Sequence, residues 1–207
     1  MNIAVLVFGR LDNFEKHYEN ILLMLGENNK IDFFLSSDNS NHVLLNRFIE
    51  IYKPKSYIND EILYDCDLSK YTKNPYTNVY NMIRHFINKK RVFNLLENYI
   101  NQEKINYDII ISLRIDLHFN SKFEFNKIEE NTIYIPKCYD YGGINDQLAY
   151  GDFDAMKKYM NIFDNIIELL NTNKSIVHPE TLTLANINYM CLKVSRFCCN
   201  YFIDKKC

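Results

Sequence analysis

The chain has 207 residues, 47% hydrophobic and 24% charged, with a formal net charge of -2. That length fits one domain with its own core, and the balanced charge argues against sequence-independent DNA binding, which needs a basic face. No run approaches the ~20 apolar residues of a membrane span, and no basic region precedes the short apolar start, so no signal peptide is expected. The cysteines (Cys66, Cys138, Cys191, Cys198, Cys199, Cys207) show no CxxC pair, against a zinc ribbon or a disulfide framework. The adjacent Cys198 and Cys199 read as buried thiols in a reducing compartment, which points to a cytosolic protein.

Ile3–Phe8 is an apolar, β-branched run of strand length, closed by Gly9-Arg10. Asn13–Leu25 places Phe14, Tyr18, Ile21, Leu22 and Leu25 at helical spacing, with Gly26 as C-cap. Ile31–Leu35 reads as a second buried strand running into Ser36-Ser37-Asp38, and His42–Tyr52 as a helix. A short strand follows at Lys55–Ile58, then an aperiodic loop over Asp60–Pro75. Tyr76–Ile100 carries the longest helical pattern, with a polar middle at Asn88-Lys89-Lys90-Arg91 that predicts a break. Later elements are strands at Tyr107–Phe119, Thr132–Ile135 and Gln147–Tyr150, helices at Asp152–Leu170 and Thr181–Met190, and a last strand or irregular tail over Leu192–Phe202. The alternation predicts an α/β fold: a mostly parallel central sheet with helices on both faces. The chain's end at Asp204-Lys205-Lys206-Cys207 is abrupt, as expected if this single domain were N-terminal in a longer chain.

Tyr107–Phe119, YDIIISLRIDLHF, is the most informative stretch. As one strand it puts Ile109, Ile111, Leu113, Ile115, Leu117 and Phe119 on one face. Ile110, Ser112, Arg114, Asp116 and His118 fall on the other. A buried strand whose C-terminal end turns polar lies where open α/β sheets build their ligand crevice. The bland alternative is an edge strand with one wet face.

The other strand ends point the same way. Gly9 after a strand lets backbone approach a ligand, and Arg10 can hold phosphate bidentately. No GxGxxG or Walker motif is present. Asp38 can accept hydrogen bonds from a ribose or base, or simply cap a helix. Asp116 and His118 share a strand face, and an O/N donor pair suits Mn²⁺ better than Ca²⁺. Asp116 can equally pair with Arg114. Tyr141-Gly142-Gly143-Ile144-Asn145-Asp146-Gln147 is a glycine-hinged loop in which Asp146 can be a general base or hold a sugar hydroxyl. His178-Pro179-Glu180-Thr181 offers a metal ligand and an acid/base group, or an ordinary helix start with Pro at N1. Tyr80 and Arg84 on the long helix are placed to reach the crevice.

Together IAVLVFGR, FFLSSD, IIISLRIDLHF, GGINDQLAYG and VHPET resemble the pattern of GT-A glycosyltransferases. The likeness is to the small GT-A domains of large DNA viruses, notably the chlorovirus capsid glycosyltransferases, and to related bacterial polysaccharide enzymes. It runs from about Ile3 to Leu184. The resemblance implies a UDP-sugar donor held by Phe8, Gly9, Arg10, Asp38, Tyr80, Arg84 and Arg114. It implies a Mn²⁺ or Mg²⁺ ion on Asp116 with His118 or His178, a catalytic base at Asp146 or Glu180, and a glycan acceptor. One departure stands out: the family's D-x-D signature reads R-x-D here, with Arg114 replacing the first carboxylate. Arg114 can then contact the diphosphate and take over part of the metal's role. The alternatives are a non-catalytic nucleotide-sugar-binding or scaffold domain of the same fold and, further off, a nucleotidyltransferase, whose Gly-rich basic loop is lacking.

Overall fold

The computed structural model describes residues 1–204 apart from 12, 27, 39, 40, 121, 123, 173 and 174. The first strand, β1 (Asn2–Phe8), is buried on both faces from Ile3 onward, as its unbroken apolar run requires. Helix α1 (Phe14–Leu25), strand β2 (Lys30–Ser37), helix α2 (His42–Tyr52) and strand β3 (Ser56–Asn59) follow. Asn41 caps α2, its side chain accepting from the backbone N–H of Val43 and Leu44. The stretch up to residue 78 holds no helix or strand, in line with the predicted loop.

Helix α3 (Val79–Glu103) is continuous, so the predicted break at Asn88–Arg91 does not occur. Each polar side chain there finds its own partner or niche. The Asn88 carbonyl accepts from the Ser36 hydroxyl at 2.7 Å, Lys90 reaches Asp164 at 2.6 Å, and Arg91 donates to the Asp60 carbonyl. Lys89 lies over the Tyr159 ring, 4.1 Å from its centroid.

The stretch read as one strand splits into β4 (Ile109–Arg114) and β5 (Leu117–Phe119), with Ile115-Asp116 in a turn between them. Then come β6 (Thr132–Pro136), β7 (Leu148–Gly151), α4 (Phe153–Met160), α5 (Ile162–Thr172), α6 (Pro179–Tyr189), β8 (Lys193–Phe197) and β9 (Tyr201–Ile203). The single helix predicted over Asp152–Leu170 is thus two, separated at Asn161. The last predicted strand is also two, in different sheets.

The protein is a mixed α/β fold with a mostly parallel central sheet flanked by helices. The sheet runs β3-β2-β1-β4-β7-β6-β8, and only β7 lies antiparallel to its neighbours. On one face, Ile3, Val5, Val7, Phe33, Leu35, Ile109, Ile111 and Leu113 pack with residues of α1 and α2. On the other, Ala4, Leu6, Phe34 and Ile110 meet α3, α4 and α6. The predicted apolar face of Ile109 to Phe119 stays together in the first core despite the turn. Strands β5 and β9 form a separate antiparallel pair that carries the chain end back to the turn, where the Asp204 N–H donates to the Asp116 carbonyl at 2.9 Å. Among the described residues, no helix is long and apolar enough to cross a membrane.

Candidate functional site

β1 lies between β2 and β4 in the sheet, so chain connections leave it in opposite directions. At such a switch point the strand ends diverge and leave a crevice. A cavity of about 480 Å³ opens there. Phe8, Gly9 and Arg10 line it from β1, Asp38 from beyond β2, and Arg114, Ile115 and Asp116 from the end of β4. Asn81, Arg84, His85 and Asn88 close it from α3, and Asp204 from the end of β9. Gly9 adopts φ +100°, a backbone conformation that side-chain-bearing residues rarely take, and its N–H donates to the Ser36 carbonyl.

Two ion pairs hold the mouth. Arg84 donates through Nε to Asp38 Oδ2. Tyr80, half exposed at the rim, stacks its ring over the Arg84 guanidinium at 4.9 Å. Arg114 grips Asp116 bidentately, with Nε–Oδ1 at 2.9 Å and Nη2–Oδ2 at 2.6 Å. The turn at Ile115-Asp116 closes this i, i+2 grip. The predicted nucleotide-binding residues Phe8, Gly9, Arg10, Asp38, Arg84 and Arg114 therefore share one cavity, with Tyr80 at its edge.

Asp146 lies behind the cavity wall and is 6% exposed. The fully buried Asn145 fixes it there. The Asn145 amide donates to the Cys138 carbonyl and the Tyr201 hydroxyl, and its Oδ1 accepts from the Gln147 N–H. The Gln147 carbonyl accepts from the Arg114 N–H, which ties the loop to β4. His85 Nε2 lies 3.3 Å from Asp146 Oδ2, a contact that falls short of hydrogen-bond geometry. Burial alone would raise the Asp146 carboxyl. His85, Lys89 and Arg114 outweigh it and bring it down to about 2. Burial pushes the Lys89 ammonium down to about 8, against the pull of Asp146, and its Nζ has no hydrogen-bond partner among the described residues.

Gly143 is an anchor rather than a hinge. A Cβ there would overlap the backbone of Glu180, and the Ile144 N–H donates to the Glu180 carbonyl. Glu180 sits in the first turn of α6, after Pro179 at the helix start. Burial, then the Asp146 charge, raises its carboxyl to about 7. His178 Nε2 is 3.2 Å from Glu180 Oε2. Neither residue lines the cavity.

The three predicted metal ligands do not come together. Asp116 lines the cavity with both oxygens held by Arg114. The turn turns His118 away from the face it was expected to share with Asp116, and its ring packs against Phe202 and His17. His178 belongs to the Glu180 pair. Among the described residues, no group of three or more His, Cys, Asp or Glu side chains is placed to hold a metal ion. The cysteine expectation also changes: Cys198 is exposed, Cys199 is half-buried, and Cys207 lies outside the described residues.

Asn81, His85, Asn88, Lys89 and Asp204 were not among the expected site residues, and Asn88 and Lys89 were expected only to break the helix. The signal for three of them was a polar row shared with Arg84 at i, i+3, i+4 and i+7 (Asn81, Arg84, His85, Asn88) along one face of α3. A family model described as a domain of unknown function (DUF7796) matches residues 2–199. No curated protein matches the chain.

Proposed function

The chain belongs to the DUF7796 family, and we propose that it is a GT-A-type glycosyltransferase moving a sugar from a UDP-linked donor to a glycan hydroxyl. The observation that carries this reading is one cavity at the switch point with Arg10, Arg84 and Arg114 in its wall. Its size falls in the ~300–1,000 Å³ range of small-molecule sites. Breaking a sugar–diphosphate bond builds negative charge on the diphosphate, and guanidinium groups placed there stabilise it as it forms. Asp38 and the Tyr80 ring suit the ribose and base end.

A divalent ion does not fit the donor set as it stands. Asp116 is committed to Arg114, and neither His118 nor His178 faces the cavity. The charge on the leaving group is therefore assigned to the arginines.

Titration calorimetry with UDP, with and without Mn²⁺, tests the site. One-to-one binding is expected, and no heat at millimolar UDP would sink the reading. The Arg114–Asp116 closure also fits a non-catalytic nucleotide-sugar binder. Release of UDP from UDP-sugars separates the two, because a pure binder leaves its donor intact.

A further inference from the structure

We infer that His85 is the general base of the proposed transfer and that Asp146 positions it; the inference rests on the transferase reading above. A base must both reach the acceptor and be free to take a proton at neutral pH. Each carboxylate in the cavity wall already has a basic neighbour. Asp38 is bound to Arg84 and Asp116 to Arg114, while Asp204 lies 3.5 Å from His17 and 3.9 Å from Lys16. Asp146 is ionised but sits behind the wall. His85 connects the two regions: its ring lines the cavity and its Nε2 faces Asp146. The rings of Phe8 and Phe86 pack against the imidazole in T-shaped geometry and limit its rotation. A carboxylate that holds one imidazole nitrogen fixes the tautomer and leaves the other nitrogen as the base. Resting catalytic pairs are often this loose and tighten around substrate.

The step balances without a further reactant. The acceptor oxygen bonds to the anomeric carbon as the bond from that carbon to the diphosphate oxygen breaks. The electron pair leaves on the diphosphate, facing the arginines. The acceptor proton passes to Nδ1 of His85, and Asp146 holds the imidazolium until water takes the proton. The outcome is inversion at the anomeric carbon.

The charged groups facing His85 are Asp146, Lys89 and Arg114. Burial lowers its pKa below the ordinary 6.5, Asp146 raises it, and Lys89 and Arg114 lower it. His85 is then neutral at pH 7, and activity falls as pH drops through its pKa. Asp146→Asn removes the raising contribution, so the acid limb should move to lower pH. A merely structural Asp146 would not move it.

Three measurements on the full chain test the inference. UDP calorimetry on His85→Gln should stay within threefold of wild type, which shows an intact cavity. UDP release from a panel of UDP-sugars should fall at least 100-fold in kcat for His85→Gln, with donor KM within threefold. Nitrogen-15 NMR of the wild-type ring at pH 7.5 should show hydrogen on Nε2 and none on Nδ1, and needs no variant to fold. A kcat within threefold of wild type, or hydrogen on Nδ1, overturns the base. UDP binding without turnover of any donor overturns the base and the transferase reading together, and no UDP binding removes the site itself.

Discussion

The mouth and the floor of the cavity use charge in opposite ways. At the mouth, Arg84 and Arg114 each have a carboxylate partner; the Arg114 and Asp116 side chains are 34% and 20% exposed, while Asp38 beside Arg84 is 4% exposed. A pair as open as Arg114–Asp116 contributes little to stability, about 0–1 kcal/mol. A guanidinium has more donors than one carboxylate takes, so a diphosphate can join such a pair without breaking it. At the floor, Lys89 and Asp146 are almost wholly removed from water. A charge there has no solvent to fall back on, and each favours the charged form of the other through space. The mouth is built to add a partner, and the floor is built to hold its charges and so to set the protonation of what lies above it.

Asp146→Ala should show the largest effect. It removes the charge that favours the buried Lys89 ammonium and should cost about 2–4 kcal/mol in urea denaturation. The double variant Lys89→Met, Asp146→Leu should recover most of that loss. If the single variant costs under ~1 kcal/mol, the floor charges are not coupled. Arg114→Ala should do the reverse. Calorimetric affinity for UDP should drop about 10–100-fold, the worth of one or two charged hydrogen bonds, with stability changed by no more than ~1 kcal/mol. A stability loss larger than the binding loss would make Arg114 part of the floor.

Glu180→Gln separates the regions by pH. The folded carboxyl titrates at about 7 instead of 4.5, so its favourable contribution is full below pH 4.5 and lost as pH rises through 7. Glutamine mimics the protonated form. The variant should match wild type at pH 4 and exceed it by about 1–3 kcal/mol at pH 8. An equal gain at both pH values would show that no buried charge is involved. The smallest effect belongs to metal removal: EDTA should change UDP affinity by less than about threefold. A loss of tenfold or more would mean that a cation opens the Arg114–Asp116 pair.

Much of this was legible along the chain. The apolar runs of β1, β2, β4 and β6 and the helical spacing of α1 and α2 determined those elements, because buried faces impose their own period. The rule that ligands gather at the carboxyl ends of parallel strands brought out Arg10, Asp38, Arg114 and Asp116. The helix side of the cavity was hidden for a physical reason. A polar row on a helix reads as a solvated face, and only packing shows that Asn88 and Lys89 are buried while His85 faces a cavity.

By itself, the sequence determined the alternating α/β order, the two-faced burial of the central strands and the chemistry at their ends. Only the tertiary structure decided the rest. The pairing of β5 with β9 bent the strand after Arg114, turned His118 away and brought Asp204 to the cavity. The buried amide of Asn145 set Asp146 behind the wall. Both depend on contacts between residues far apart in the chain, and neither periodicity nor propensity carries information about such contacts.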